Sequence, residues 1–393
     1  MRSRILPVIL VSHFTAALVA LGMPPFFGPI LTGTFAVENT AWVGWFFVIP
    51  TVCTAIAAPF WGKIADHFGR RWSLLRAQLG LAVAFVIAGL APGLTTFAIA
   101  LIIQGILGGT FAASSAYLTT VAHGRNLAQS LNWMQGSARS AMVLAPILFG
   151  VLITQVPPQD LYLFMAMLPL ISALLVWKLA PEDRPSRGHR KETSAREHGL
   201  RSAPWRRLKW LHFGFNIALV ASFPYFVPWA QARTGDSAAM AGFLYSLPHA
   251  LYLIILITPM QRAAFFRLPE TLPMGLAVIA LSYVVQATAG TLTEILLGRL
   301  AMGLGMTACL FALNGETARL TRAESAGRSF GALDSIGKWA GVAAGLFAGV
   351  IVGMRDQTAP LWLGAAVFLL TFAMSCYQPN TLATKAHEHA KEE

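Results

Sequence analysis

The sequence predicts an all-α integral membrane protein, with twelve spanning helices in two related groups of six. Its 393 residues are 56% hydrophobic and only 12% charged, with a mean hydropathy of +0.60, whereas soluble domains carry about 25% charge. Apolar runs near the length of about 20 residues that a hydrocarbon layer requires recur at roughly 7–30, 41–61, 72–91, 96–119, 131–153, 161–179, 210–230, 240–258, 272–289, 293–313, 330–352 and 359–378. The second half also repeats the first at one constant offset. Pro25-Phe26-Phe27-Gly28-Pro29 falls on Pro224-Tyr225-Phe226-Val227-Pro228, His13-Phe14 on His212-Phe213, and the run Ala145 to Gly150 on Ala344 to Gly349.

The polar stretch 181–209 separates the two sixes. It carries Arg184, Arg187, Arg190, Lys191, Arg196, Arg201, Arg206, Arg207 and Lys209 against four acids. It reads as a basic cytoplasmic linker between bundles at 1–180 and 210–380, with a cytoplasmic tail at 381–393. The opening Met1-Arg2-Ser3-Arg4 runs straight into apolar sequence, so the first span reads as uncleaved.

Charge sets the orientation. The connections after odd-numbered spans hold only Arg233 and Arg355 as basic residues. Those after even-numbered spans hold Lys63, Arg70, Arg71, Arg125, Arg262, Arg267, Arg319, Arg322 and Arg328, besides the linker set. By the positive-inside rule both termini are cytoplasmic. The net charge of +12 then reflects loops and anionic lipid, not nucleic acid. Cys53, Cys309 and Cys376 all fall in apolar runs and read as inert thiols. Neither metal-ligand spacing nor an ATP-binding loop is present, and no cofactor is expected.

The decapeptide 62–71, Gly-Lys-Ile-Ala-Asp-His-Phe-Gly-Arg-Arg, lies between the second and third spans. It resembles the signature loop of the major facilitator superfamily, and the parallel six-helix repeat resembles that family's architecture, with substrate bound between halves near the midplane. The resemblance covers essentially the whole chain. It implies that the loop locks the outward-facing state and releases during rocking. Gly62 and Gly69 are expected to allow a tight turn. Asp66 is expected to accept backbone N–H groups at the positive end of a neighbouring helix. Arg70 and Arg71 are expected to bind lipid phosphate or a facing acid. The second-half counterpart, Pro259 to Arg267, lacks the Asp and both Gly, so the latch is expected on one side only.

Gln104-Gly105-Ile106-Leu107-Gly108-Gly109 resembles the family's second motif, with Leu101 where the family has an arginine; Arg299 stands near the corresponding place in the other half. Ala141-x-x-x-Ala145-Pro146-x-x-x-Gly150 looks like a weakened exporter motif. Gly105, Gly109, Ala145, Pro146, Gly150, Gly341 and Gly345 are expected to serve helix packing.

Ionised groups deep in a membrane are costly and face the interior. Arg139, Lys338 and Arg299 are the buried cations. Asn132, Gln135 and Arg139 share one face of the fifth span, and Asp334, Lys338, Gly341 and Gly345 one face of the eleventh. The repeat offset sets Gln135 on Asp334 and Arg139 on Lys338, two cationic stripes facing one cavity. Tyr245, His249 and Tyr252 supply a polar-aromatic face of the eighth span. The competing reading pairs Lys338 with Asp334, bonds Arg139 to Gln135 and backbone, and neutralises Arg299 with Glu294. Asp334, His13 and His249 are candidates for proton coupling, although His13 and His212 near helix ends also read as interfacial histidines.

A cavity with fixed cations and few acids suits an anion. The expected function is proton-driven export of a small anionic or amphiphilic metabolite, with a siderophore-like carboxylate as the specific expectation, from the bacterial inner membrane and as a monomer. A broad-specificity multidrug exporter and a proton symporter importing an organic anion are the alternatives. A non-transporting sensor would be favoured by a large soluble appendage. An enzyme is disfavoured, since no nucleophile and base are paired.

Overall fold

The structure, a computed structural model, describes residues 2–23, 27–37, 41–152, 155–157, 159–182, 202–235, 238–262, 270–322 and 325–376. Much of the linker and the whole tail, together with Pro25, Phe26 and Arg267, therefore lie outside the described residues. Among the described residues every regular element is helical.

The first half comprises α1 (Arg2–Gly22), α2 (Phe27–Gly33), α3 (Ala41–Phe68), α4 (Arg70–Gly89), α5 (Leu94–Leu107), α6 (Thr110–Leu118), α7 (Gly124–Leu152) and α8 (Leu161–Leu179). The second comprises α9 (Ala203–Ala221), α10 (Phe223–Gln231), α11 (Ala238–Ile257), α12 (Thr271–Thr288), α13 (Leu292–Leu320), α14 (Ala326–Met354) and α15 (Ala359–Cys376). Spans 1, 4 and 7 are each made of two helices, α1 with α2, α5 with α6, and α9 with α10. Among the described residues, ten helices or helix pairs are long and apolar enough to cross a membrane. The stretches outside that set are the α2 part of span 1, span 5 (α7) and span 7. α7 carries Arg125, Asn132, Gln135 and Arg139, and α9 carries Arg206, Arg207 and Lys209.

Packing repeats between halves. α1 packs on α7 as α9 does on α14, α4 on α8 as α12 on α15, and α4 on α5 as α12 on α13. The first half buries Phe46, Phe85, Phe97 and Tyr162 in one aromatic core. The second buries Phe215, Trp229, Tyr283 and Phe368. Ile56, Trp72, Leu170, Leu281 and Leu370 stay exposed on the outer faces, as expected where the surrounding solvent is lipid. The halves meet along two seams, α3 with α14 and α7 with α11 and α13.

Four local departures from the sequence expectation matter. α3 continues through Phe68, so Gly62 is helical and only Gly69, at φ 106°, makes the turn. Gly62 serves close approach: a Cβ there would overlap the Gly327 carbonyl of α14. Span 4 breaks at Gly108 and Gly109, the latter left-handed at φ 77° with open space around its Cβ position, so Gly109 is a joint and not a packing residue. Span 7 starts at Ala203, inside the predicted linker, because Ser202 and Pro204 begin a helix there. Gly341 and Gly345 also meet nothing within 4 Å of a Cβ, so neither makes a tight helix contact in this conformation. Ala145 is buried, and Gly105 sits against Pro50 and Cys53 of α3. Pro146 and Gly150 lie in α7, with side-chain surroundings outside the described residues.

Gly105→Val should cost about 1–3 kcal/mol through overpacking and lower the yield of monodisperse detergent-extracted protein. Gly341→Ala and Gly345→Ala should leave that yield unchanged, and equal losses in all three variants would contradict this packing assignment.

Candidate substrate site and interbundle latch

The first N–H groups of α14 have no partner within their own helix. Asp66, at the end of α3, supplies one. Gly327 N donates to its Oδ1 at 2.8 Å and Arg328 N to its Oδ2 at 3.1 Å. Arg328 Nε lies 3.7 Å from the same Oδ2. A carboxylate at a helix N-terminus also meets the positive end of the helix dipole. The contact requires bare backbone on both sides: a Cβ on Gly62 or on Gly327 would overlap the other's carbonyl, and one on Gly331 would crowd the Ala58 carbonyl. Arg70 is buried and close enough to act electrostatically on Asp66. Arg71 works elsewhere. It pairs with Glu182 at 3.0 Å and donates to Trp177 O at 2.5 Å, tying α4 to the end of α8 within its own half.

Proline governs the rest of this seam. Pro59 lies inside α3 and leaves the Ala55 carbonyl without its helical donor. Ser335 Oγ of α14 donates to that carbonyl at 2.5 Å, across the interface.

The second seam closes at the same end of the molecule. Tyr252 Oη donates to Asn132 O at 2.8 Å, and Asn314 Nδ2 donates to Asn132 Oδ1 at 2.8 Å. Gly136 lets Leu256 approach α7. Asn132 and Tyr252, expected to line a substrate cavity, here join the two halves instead. Gln135 stands half-buried between Asn132 and Arg139.

The buried arginines have different tasks. Pro248 lies inside α11 and leaves the Leu244 carbonyl without its helical donor. Arg299 Nε donates to Leu244 O at 2.8 Å, and its Nη2 donates to Tyr245 O at 2.7 Å. Its guanidinium lies 4.0 Å from the Phe226 ring centre. Arg299 is thus engaged by the carbonyls of α11 and by the Phe226 ring. Glu294 is not its partner, because that carboxylate accepts from Gly290 N and Thr291 N in a capping box.

Arg139 is only 8% exposed and projects from α7 to the opposite half, with Nη1 3.5 Å from His249 Nδ1. Its other contact is Met142 Sδ, also at 3.5 Å. Arg139 Nε and His249 Nε2 are both buried without a hydrogen-bond partner. Rings of Phe223 and Tyr245 flank His249, at 6.2 and 5.8 Å between centroids. A guanidinium and an imidazole with spare donors, walled by aromatic rings and without a carboxylate in contact among the described residues, form a receptor for an anion carrying an apolar body.

Asp334 and Lys338 lie on α14, and His13 lies on α1 beside α7. Asp334 Oδ2 is buried and unpartnered. Lys338, one turn on and half-buried, acts electrostatically on both Asp334 and His13. No ion pair within 4.0 Å joins Asp334 to Lys338 among the described residues. His13 is 3% exposed, bonds Ser137 Oγ at 2.6 Å and meets the edge of Phe111. It is therefore an interior residue and not an interfacial one. His212 likewise faces inward, 3.4 Å from Thr317 Oγ1.

Asn314, Ser335, Phe223 and Phe226 escaped sequence reasoning. Asn314, a lone amide in an apolar run, was open to detection. Ser335 and Arg299 become predictable once Pro59 and Pro248 are seen to leave the carbonyls of Ala55 and Leu244 without their helical donors. Among the described residues no three His, Cys, Asp or Glu side chains converge as a metal site.

Two pseudo-symmetric helical bundles, closed together at one end around buried ionisable groups, define the class of multi-pass alternating-access carriers. The Major Facilitator Superfamily profile matches residues 6–267, and the chain belongs to that family. A stretch of 133 residues is 33% identical to the Staphyloferrin B transporter of Staphylococcus aureus, covering 34% of this chain and 32% of that protein. Another of 111 residues is 34% identical to Multidrug resistance protein MdtG of Proteus mirabilis, covering 28% of each. The matches thus span about a third or less of these relatives' own lengths. Among solved structures, the human organic anion transporter MFSD10 (TETRAN) superposes with a TM-score of 0.77 at 17% identity, covering 95% of this chain and 99% of that one. The proton:xylose symporter XylE superposes at 0.73 and 13% identity, covering 95% of each chain. Both show the same fold.

Asp66→Asn removes a charged acceptor whose hydrogen bonds are worth about 1.5–3 kcal/mol. It should shift the closed-to-open ratio at this end about tenfold or more, read as a longer α3–α14 distance between spin labels. An unchanged distance distribution would remove the latch role.

Proposed function

We propose that the chain is a proton-driven exporter of a small anionic or amphiphilic metabolite, with a siderophore-like carboxylate as the favoured substrate. The observation that carries this reading is Arg139. It is a buried guanidinium with an unpartnered Nε, held against His249 at the junction of the two halves. Such a charge is costly in isolation, and an acidic substrate group supplies the missing partner. The resemblance to the Staphyloferrin B transporter supports the substrate class.

The Asp66 end carries Arg70, Arg71, Arg125, Arg319, Arg322 and Arg328, which favours the cytoplasmic side. On that reading both termini are cytoplasmic, the host membrane is a bacterial inner membrane, and this conformation faces outward. Asp334 and His249 are the groups proposed to exchange protons, since each keeps a buried atom without a partner. The carrier works as a monomer in this proposal. A multidrug exporter is the second reading, favoured by the likeness to MdtG and by the aromatic wall of Phe223, Phe226 and Tyr245.

Small molecules in spent medium and cell extract, compared between a deletion strain and its parent under iron-poor growth, test the proposal. A carboxylate-rich compound lost from the medium and accumulated in the cells is expected. Unchanged secretion with raised sensitivity to diverse drugs would favour the second reading. In the complemented strain, Arg139→Ala should reduce secretion about tenfold or more without loss of protein from the membrane; full secretion would sink the anion site.

A further inference from the structure

Span 4 is interrupted at Gly108 and Gly109, within a stretch long and apolar enough to cross a membrane, and a helix broken inside hydrocarbon leaves carbonyls that need partners from the protein. The last carbonyls of α5 are all matched. Gln104 O accepts from Gly108 N at 2.8 Å. Gly105 O accepts from Thr54 Oγ1 at 3.0 Å and Ile106 O from Trp61 Nε1 at 2.6 Å. Leu107 O accepts from Arg76 Nη1, and the same nitrogen lies 3.1 Å from Gly108 O. The Arg76 guanidinium also stacks 3.8 Å from the centre of the Trp61 ring. Apart from Gly108, every donor comes from α3 or α4. Guanidinium suits this position, because it is planar, carries several donors and favours both an aromatic face and the negative end of a helix.

The break also divides two anchorages. α5 packs on α3 and α4 of its own half, whereas α6 packs on α4 and, across the seam, on α14. Between them Gly109 is left-handed with open space at its Cβ position. Trp61 precedes Gly62, the residue in contact with Gly327, and a cleft lined by Thr54, Trp61, Arg76, Gly109 and Gly327 runs from the cap to the seam.

We infer that Arg76 is the positioning residue of a hinge in span 4, clamping the open end of α5 while α6 turns about Gly109 as the α3–α14 seam parts. The cap and the latch are then one mechanical unit joined through Trp61 and Gly62. This goes beyond the proposed export, since it holds whatever the substrate and its direction.

Hydrogen–deuterium exchange of the full-length protein in nanodiscs tests it without any substrate. Arg76→Gln should raise exchange at residues 108–113 about tenfold, and at Gly327 and Arg328 at least threefold, while α8 stays unchanged. Arg76→Lys keeps the charge but loses the fork and stacking, so it should give an intermediate increase. A rise at 108–113 with no change at Gly327 and Arg328 would make Arg76 a static cap and overturn the hinge. No change at either site would overturn both. Should Arg76→Gln fail to fold, Trp61→Phe removes only the Ile106 donor; it should raise exchange at both sites about threefold, and wild-type exchange there would equally overturn the proposal.

Discussion

A backbone carbonyl in hydrocarbon has no water to pair with, and this constraint decides what most of the buried polar side chains do. The helices are interrupted repeatedly, by Pro59, Pro248 and the Gly108–Gly109 break. Each interruption frees a carbonyl and draws a donor from another helix. Ser335 answers Pro59, Arg299 answers Pro248, and Arg76 with Trp61 and Thr54 answers the broken span. Helix ends follow the same rule, with Arg71 on Trp177 O and Arg207 on Ser375 O at corresponding ends of the two halves. Membrane arginines here are largely backbone donors that happen to carry charge.

Arg139 stands apart against that background. Its neighbours are a thioether and an imidazole, and its Nε is unmatched. Charge held in reserve at an interface between two moving bodies can bias whichever arrangement supplies its counter-charge, and a ligand shifts a conformational equilibrium only through such differential affinity. The Asp334, Lys338 and His13 group occupies the related place in the repeat and brings a second set of ionisable groups to the same junction.

The two seams close one end by different chemistry. α3 and α14 meet backbone to backbone through glycines, with one carboxylate on a helix N-terminus. α7, α11 and α13 meet through side-chain amides and a phenol. The sequence repeat is thus symmetric in helices and asymmetric in contacts. The second-half loop lacks an acid where Asp66 stands, and its described part is a short 3-10 helix at Pro259–Arg262. A contact worth a few kcal/mol is strong enough to favour one arrangement and weak enough to be released in each cycle.

Much of this was legible in the amino-acid order, because it depends on local composition or on a shared offset. Span number, the internal repeat, the charge bias of the loops and the placement of Asp66 opposite a helix start all follow from hydropathy, periodicity and one motif. The sequence also marked Arg139, Lys338 and Arg299 as buried cations. It did not distinguish their tasks, because a hydrogen-bond partner more than thirty residues away leaves no local trace: Arg299 meets Leu244, Arg76 meets Leu107, and Asn132 meets Asn314 only after the helices pack. Gly62 and Gly109 each invited a wrong role for the same reason, one being a contact and the other a joint. Local sequence determined which segments form helices long and apolar enough to enter a membrane. Tertiary packing alone decided which polar groups are consumed by the backbone and which are left for a ligand.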